Sequence, residues 1–235
     1  MSRPVALVLT APGTNRDHDV AFALDLAGAE PRITPLAELV ERPELLDGAR
    51  MAVVAGGFSH ADALGAGRMW ALELSTFLGD RLRSFVDGGR PLVGICNGFQ
   101  VLVRTGLLPG ALGHNSSGHF QCEWVTLEPA GGRCVWTREL EPFDCPIAHG
   151  EGRYVHPDAG ALAAAGQVAL RYGANPNGSV GDIAGVCDPS GVVLGLMPHP
   201  ENHVIARQHP LATRGDGAAL GLHLFEQGVR HAKEL

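Results

Sequence analysis

Residues 94–98 read Gly-Ile-Cys-Asn-Gly and stand between a short apolar run, residues 91–95, and a helix-like run, residues 99–104. A strand, a glycine-flanked nucleophile and a helix in this order are typical of the sharp turn called a nucleophile elbow, which usually carries serine. Bulky neighbours would clash in so tight a turn, so glycine is needed two residues to either side. The turn would hold the side chain of Cys96 above the edge of the sheet, and the pattern therefore suggests covalent catalysis by its sulfur.

Strand-like and helix-like runs alternate along the first half of the chain. Apolar strand runs are found at residues 5–9, 32–35, 51–55 and 91–95, and helix-like runs at residues 17–27, 70–86 and 99–104. This alternation predicts an α/β fold with an open, mostly parallel sheet flanked by helices on both faces. The 70–86 helix is expected to bury one apolar face, made of Trp70, Leu74, Phe77, Leu78, Leu82 and Phe85.

The second half of the chain has shorter strand-like runs and loops rich in glycine and proline. Strands are expected at residues 120–127, 133–137 and 168–172, followed by a hairpin over 186–193 with its turn at 188–191. These strands predict a smaller antiparallel insertion. An amphipathic helix over residues 217–230 is expected to close the chain, with inward side chains at Leu220, Leu224, Phe225 and Val229.

Composition favours one folded domain over residues 1–235. Hydrophobic residues make up 45% of the chain and charged residues 18%, which allows a sizeable core and argues against disorder. The formal net charge is −7, and Lys233 is the only lysine. Because there is no basic block, neither nucleic acid nor an anionic membrane is expected as a partner.

The cysteines and the apolar runs give an expectation about the cellular compartment. The chain has 5 cysteines and no C-x-x-C spacing, and no apolar run reaches the length of a signal-peptide core or a membrane span. We therefore expect a reduced, cytoplasmic protein.

Three expected strand ends carry chemically suggestive residues. Cys96 follows one strand, residues 56–59 (Gly-Gly-Phe-Ser) follow a second, and residues 198–201 (Pro-His-Pro-Glu) follow the last strand of the hairpin. In open α/β sheets, ligands bind beyond the carboxyl ends of the strands. The sequence therefore predicts that these three segments meet at one edge of the sheet.

His199 and Glu201 are the candidate base and orienting acid for Cys96. Pro200 favours an extended backbone at His199, and strand alternation would then place both side chains on one face. A carboxylate behind an imidazole fixes its tautomer and supports its charged form. Backbone N–H groups of the glycine loop and of Asn97 would receive a developing oxyanion.

Each of these residues also has a purely structural interpretation. A cysteine after an apolar strand is usually a small core residue, and His199 and Glu201 could merely cap a strand end. His199 and His203 have the i, i+4 spacing of a helical zinc site, but Pro200 disfavours a helix through them, so no metal is expected. The coincidence of three strand ends favours the catalytic interpretation.

Several motifs together resemble a known family. Gly-Ile-Cys-Asn-Gly-Phe-Gln at 94–100 and Met-Pro-His-Pro-Glu at 197–201 resemble the class I, or triad, glutamine amidotransferases, whose fold is flavodoxin-like. More narrowly, the chain resembles the glutaminase subunits of phosphoribosylformylglycinamidine synthase, on the motifs at residues 13–15, 56–59, 148–152, 175–179 and 183–186.

The resemblance implies a glutaminase with Cys96, His199 and Glu201 as catalytic residues. Cys96 would attack the side-chain amide of glutamine. His199, held by Glu201, would protonate the departing ammonia and then activate water to hydrolyse the thioester.

The resemblance also implies substrate-binding residues. The oxyanion would lie on backbone N–H groups of Gly57 or Phe58 and of Asn97. Further substrate contacts are implied for Gln100 and for the segment made of His149, Gly150 and Glu151. Glu151 is expected to meet the α-ammonium of glutamine.

The implied partner is a synthetase that receives the ammonia. It would be the large subunit of phosphoribosylformylglycinamidine synthase, with the small subunit as a second candidate partner, and would convert formylglycinamide ribonucleotide in de novo purine biosynthesis. Nothing in the chain resembles a P-loop, so ATP and Mg²⁺ are expected on the partner, and no cofactor is expected here.

The chain departs from the commonest family pattern at a few positions. His60 and Ala61 stand where Tyr-Gly is usual, Asn202 where arginine is usual, and Arg16 where cysteine is frequent.

Two functions other than that of an amidotransferase are also compatible with a cysteine elbow. One is another elbow-cysteine hydrolase, although its histidine would typically follow the cysteine closely, and the other is a regulatory subunit without turnover.

Overall fold

The computed structural model describes residues 3–214 and 219–235, and eleven strands lie within them. The strands are β1 Val5–Thr10, β2 Glu30–Pro35, β3 Met51–Val54, β4 Leu92–Ile95, β5 Ala111–Gly113, β6 Gln121–Pro129, β7 Phe143–His149, β8 Arg153–Val155, β9 Val168–Tyr172, β10 Ile183–Cys187 and β11 Val193–Leu196. The helices are α1 Asp17–Leu26, α2 Leu36–Glu41, α3 Glu44–Asp47, α4 Arg68–Asp87, α5 Asn97–Arg104, α6 Ala159–Ala164 and α7 Leu222–Glu234.

Nine of these strands form one sheet, in the order β2-β1-β3-β4-β11-β10-β9-β6-β7. The five strands from β2 to β11 are parallel to their neighbours, and the pairs from β11 onward are antiparallel. The predicted α/β sheet flanked by helices is therefore confirmed. The antiparallel strands extend one edge of this sheet, and β5 pairs with β8 in a small second sheet.

The parallel strands are apolar because helices cover both of their faces. Every residue of β3, β4 and β11 is buried, as expected for a central parallel strand. In the β4–β11 pair, Ile95 lies beside Leu196. The two strands thus end at the same level, and the chain beyond each one enters the same space.

The turn after β4 has the geometry predicted for an elbow. Cys96 has φ 51° and ψ −105°, in the left-handed half of φ space where a side chain is strained. A Cβ atom on Gly98 would lie 1.9 Å from the carbonyl oxygen of Val54, and one on Gly94 would lie 2.5 Å from that of Gly98. The tight approach of α5 to β3 explains the glycine at 98, and its tight approach to β4 explains the glycine at 94.

The strand predicted at residues 133–137 is wrong. The segment Val135–Thr137 is a single 3-10 turn, and Trp136 packs against Gly228 of α7. The indole N–H of Trp136 donates to the carbonyl oxygen of Val192 at 3.0 Å. Burial of one large side chain, and not strand pairing, accounts for the apolar run.

Two other details differ from expectation. Phe77 on α4 is 60% exposed, so it does not share the buried face with Trp70 and Leu74. The last helix begins at Leu222, after the predicted start, and residues 217–218 of that prediction lie outside the described part of the chain.

Strand β7 was missed, although its pattern alternates. Phe143, Cys145, Ile147 and His149 are buried, while the residues between them are only partly buried. Pro146 lies within the strand and lowers its apparent strand propensity, which proline does because it cannot donate to the ladder. This strand matters for the site because it ends at His149.

None of the helices described here is long and apolar enough to cross a membrane.

Substitution Gly98→Ala tests the packing of α5 on the sheet. The added methyl would collide with the backbone of Val54, so we expect a loss of about 1–3 kcal/mol in the free energy of unfolding. Gly79→Ala on α4 is the control, because its Cβ would meet nothing within 4 Å, and helix propensity predicts a gain of about 0.5–1 kcal/mol. Urea unfolding measures both values, and equal midpoints for the two variants would contradict the packing argument.

Candidate active site

Cys96 and His199 meet where β4 and β11 end. A Cβ atom on Gly56 would lie 3.0 Å from His199 Cε1 and 3.6 Å from Cys96 Cβ, so both side chains border the same glycine. The Cys96 sulfur is near enough to the imidazole to raise the pKa of that ring, and its Sγ–H donates to the carbonyl oxygen of Ala148 at 3.8 Å. The structure thus brings together two residues that are about a hundred positions apart in the chain.

Glu201 completes the group. Its Oε1 lies 2.7 Å from His199 Nδ1, and the carboxylate is fully buried. The strand alternation predicted from His199 to Glu201 is wrong, since Pro200–Asn202 form a 3-10 turn, although His199 itself has a non-helical backbone with φ −108° and ψ 80°. This turn, and not strand alternation, folds the carboxylate back onto the imidazole.

The surroundings of His199 favour its charged form. Burial of the ring lowers the pKa of His199, but the Glu201 carboxylate and the Cys96 sulfur raise it more, and the result is a pKa of about 10. At neutral pH the ring is therefore an imidazolium, with Nδ1–H donating to Glu201 and Nε2–H available toward Cys96.

Two backbone N–H groups border the nucleophile. Gly57 has φ 141°, and a side chain there would collide with the backbone of Thr14 and Asn15. The Phe58 N–H donates to the carbonyl oxygen of Gly13 at 3.0 Å, whereas the Gly57 N–H has no hydrogen-bond partner in the described residues. Of the two expected oxyanion donors in this loop, Gly57 is the one that is free.

The second N–H group belongs to Asn97. It is the first residue of α5, and the N–H groups of a first helical turn have no partner within the helix. The helix dipole adds partial positive charge at the same end. The arrangement therefore suits a negative oxygen placed beside Cys96.

A cavity of about 200 Å³ opens above the sulfur. Its lining includes the following sequence-predicted residues: Gly57, Phe58, Cys96, Gln100, His149, Gly150 and Glu151. Asp62, His114 and Phe120 also line it and were not predicted as site residues. Phe58 and Phe120 are partly exposed and face each other with ring centroids 6.4 Å apart.

His149 is held neutral in the wall of the cavity. Burial and the nearby charge of His199 lower the pKa of His149 to about 4. Its Nδ1 lies 3.1 Å from Asn115 Oδ1, and the Asn115 amide group donates to the His149 carbonyl oxygen at 2.8 Å. Because Asn115 Oδ1 can only accept, Nδ1 of His149 carries the proton. Asn115 was not predicted as a site residue.

Two carboxylates, those of Asp62 and Glu151, line the cavity. Burial and the neighbouring charge of Glu151 raise the pKa of Asp62. Asp62 Oδ1 is enclosed and has no hydrogen-bond partner in the described residues. Arg104 Nη2 lies 4.0 Å from Glu151 Oε2. Asp62 and Glu151 are like charges that repel each other, so a cation such as the ammonium group of an amino acid would stabilise both.

The departures from the family pattern lie outside the cavity wall. His60 Nε2 lies 3.0 Å from Glu73 Oε2 on α4. Asn202 donates to Asp19 Oδ2 at 3.1 Å, and Arg16 donates to the same oxygen at 3.1 Å. These residues therefore make local contacts that leave the catalytic atoms in place.

Within the described residues, no cluster of three or more His, Cys, Asp or Glu side chains is arranged to hold a metal ion.

Comparison with known proteins gives the class of this chain. The family model described as "CobB/CobQ-like glutamine amidotransferase domain" matches residues 3–232. The chain is therefore a glutamine amidotransferase, as its sheet and its Cys–His–Glu group had indicated.

Similar proteins show which family of glutamine amidotransferases this chain belongs to. The chain is 42% identical to the phosphoribosylformylglycinamidine synthase subunit PurQ of Treponema denticola, over 97% of this chain and 99% of the relative. It is 38% identical to the same subunit of Dehalococcoides mccartyi, over 100% of both chains. A solved structure titled "Structure of PurLQS from Thermotoga maritima" superposes with a TM-score of 0.82 at 37% identity, over 97% of this chain and 98% of that chain. The chain belongs to the PurQ family, and the two alternatives weighed from the sequence are not favoured.

Substitution Glu201→Gln tests the electrostatics of the pair. Removing the carboxylate charge removes a main cause that raises the pKa of His199, so we expect that pKa to fall well below 10. Titration of ¹⁵N-labelled imidazole by NMR measures it. The matched control is Glu226→Gln, because in the described part of the chain Glu226 pairs with the exposed His223. A His199 titration that is unchanged in Glu201→Gln would refute the assignment of this shift to Glu201.

Proposed function

We propose that this chain is the glutaminase of a phosphoribosylformylglycinamidine synthase. It hydrolyses glutamine to glutamate and ammonia through a thioester on Cys96, and the ammonia passes to a synthetase that converts formylglycinamide ribonucleotide to formylglycinamidine ribonucleotide in de novo purine biosynthesis. Membership of the PurQ family supports this proposal. The observation that carries it is the buried Cys96–His199–Glu201 group at the joined ends of β4 and β11.

The first step is attack of the Cys96 sulfur on the side-chain amide carbon of glutamine. A carbon–sulfur bond forms, and the carbonyl π electrons move to oxygen. The N–H groups of Gly57 and Asn97 stabilise this oxyanion, and such preorganised donors commonly contribute 10²- to 10³-fold each, or about 2.7–4 kcal/mol. Because both donors are backbone groups in tight turns, they need little reorganisation.

His199 then moves the proton that the departing nitrogen needs. Its imidazolium gives Nε2–H to the amide nitrogen, the carbon–nitrogen bond breaks, and ammonia leaves. The neutral imidazole next takes a proton from water, whose oxygen adds to the thioester carbon. Collapse of this second intermediate expels the Cys96 thiolate and releases glutamate. Glu201 keeps the ring oriented through both steps.

The cavity carries groups that suit both reactive parts of glutamine. Glu151 and Asp62 would present carboxylates to the α-ammonium, and both line the same cavity as His149, Gly150 and the nucleophile Cys96. Gln100 also lines the cavity, and its Nε2 donates to the carbonyl oxygen of Glu151 at 2.7 Å. Gln100 therefore supports the substrate by holding the loop that carries Glu151.

The ammonia requires a partner close to the cavity. Ammonia acts as a nucleophile only when unprotonated, and water would convert most of it to ammonium, so a closed passage between the two proteins protects it. The Thermotoga maritima structure is titled as a PurLQS assembly, which supports a large synthetase subunit and a small third subunit as partners here. ATP and Mg²⁺ belong to the synthetase in this proposal, and this chain needs no cofactor.

Substitution Cys96→Ala separates the two half-reactions. We expect glutamine-dependent synthesis by the assembled complex to fall more than about 10⁴-fold, while synthesis from added ammonium salt remains at the wild-type rate. Only the first half-reaction uses the thiolate. The matched control is Cys122→Ala, since Cys122 is exposed and lies away from the cavity. Equal loss of both activities in Cys96→Ala would contradict the proposed role.

Substitutions Glu151→Gln and Asp62→Asn test recognition of the α-ammonium. A hydrogen bond to a charged group contributes about 1.5–3 kcal/mol, so each variant should raise KM for glutamine about 10- to 100-fold with a smaller change in kcat.

The control for this test is a substrate, 5-amino-5-oxopentanoate, which has the same side-chain amide and no α-amino group. Its KM should change little in either variant. If both substrates lose affinity equally, the carboxylates act on the fold of the loop and not on the ammonium.

A further inference from the structure

The side chain of Asn97 is buried between the loop at 56–59 and Gln100 of its own helix. It is 1% exposed, although asparagine is a polar residue that is mostly found at protein surfaces. Its Oδ1 accepts a hydrogen bond from the Ser59 N–H at 3.3 Å, and its Nδ2 donates to Gln100 Oε1 at 2.9 Å. Both ends of the amide are therefore hydrogen-bonded, the oxygen to the loop at 56–59 and the nitrogen to the next turn of α5.

The connection continues to the substrate loop. Gln100 Nε2 donates to the carbonyl oxygen of Glu151 at 2.7 Å. The Ser59 N–H can only donate and the Glu151 carbonyl can only accept, so the orientation of both amide groups between them is fixed. Three consecutive hydrogen bonds thus join the loop at 56–59, the first turn of α5 and the loop that begins at Gly150.

The loop that donates the first of these bonds, through the Ser59 N–H, also carries the Gly57 N–H. The loop is also hydrogen-bonded to the segment after β1. The Phe58 N–H donates to the carbonyl oxygen of Gly13, and the His60 N–H donates to that of Pro12. His60 and Ala61, which follow at once, have φ angles of 51° and 52°. Left-handed backbone at non-glycine residues costs about 1–3 kcal/mol each and persists only where the surroundings hold it.

Asn97 therefore touches the oxyanion site in two ways. Its own backbone N–H is one of the two donors beside Cys96, and its side chain binds the peptide of Ser59, two residues beyond the other donor at Gly57. A change in the position of the Asn97 amide would change the separation of the two N–H groups.

We propose that the Asn97 side chain is a positioning residue that sets the spacing of the two oxyanion donors and couples it, through Gln100, to the loop that carries Glu151. This inference rests on the proposed function, because an oxyanion forms only when the nucleophile attacks a carbonyl. When glutamine binds to the loop that carries Glu151, this hydrogen-bond connection transmits the contact to the two N–H groups that stabilise the transition state.

The near-isosteric substitution Asn97→Leu removes both hydrogen bonds of the side chain and keeps the backbone N–H. Two rates are measured on the chain assembled with its synthetase. One is kcat for glutamine hydrolysis, and the other is the rate at which iodoacetamide alkylates Cys96, determined by mass spectrometry. Alkylation displaces iodide at a saturated carbon, so it needs the sulfur but no oxyanion donor.

We expect kcat to fall about 10- to 100-fold, as misplacement of catalytic groups by about 1 Å does, while alkylation stays close to the wild-type rate. The second variant, Asn97→Asp, keeps an acceptor for the Ser59 N–H and loses the donor to Gln100. It should retain most of kcat and raise KM for glutamine. This variant also tests the inference if Asn97→Leu does not fold.

The matched control is Gln167→Leu, which removes another side-chain amide that donates to a backbone carbonyl, that of Cys187 at 3.0 Å. Both rates should equal those of the wild type. Equal loss of hydrolysis and alkylation in Asn97→Leu, or an unchanged kcat, would overturn the positioning role. Failure of the proposed function is distinguishable, because then the wild-type complex itself would not hydrolyse glutamine.

Discussion

The parallel pairing of β4 with β11 is the constraint on which the site depends. Ile95 and Leu196 lie side by side, so Cys96 and His199 emerge at the same level although most of the antiparallel half of the sheet is inserted between them in sequence. A slip of this register by one residue would turn the side chains of β11 to the opposite face of the sheet. The glycines that face each other in the pair, Gly94 and Gly195, leave room for α5 and fix that register by packing.

Electrostatic interactions then determine the protonation state of the catalytic residues that this register brings together. Glu201 is buried with one oxygen on His199 and the other, Oε2, without a partner in the described residues. A buried carboxylate lowers stability unless it is compensated, and here the compensation is the charge that it induces on the imidazole. Two neighbouring histidines consequently hold opposite charge states at neutral pH, because His149 in the cavity wall has a pKa of about 4 and His199 beside Cys96 has one of about 10.

Sequence reasoning could predict the parts of the site that local patterns encode. The elbow at Cys96 needs glycines at fixed spacing, and the central strands need continuous apolar runs, so both are visible in the chain. Asn115, Asp62 and the side chain of Asn97 were missed because their roles come from contacts between distant loops, which leave no periodic signal. The 133–137 strand was wrong for a related reason, since an apolar run reports burial but does not distinguish a strand from a turn beneath Trp136.

Asp19 connects two of the departures from the family pattern, Arg16 and Asn202. One carboxylate oxygen receives hydrogen bonds from both Arg16 and Asn202, so these two sites are coupled through a common acceptor. Restoring the usual arginine at 202 alone would set two guanidinium groups against one carboxylate. We therefore expect changes at 16 and 202 to be energetically coupled, so that a loop grafted from a relative suits this scaffold best when both positions are exchanged together.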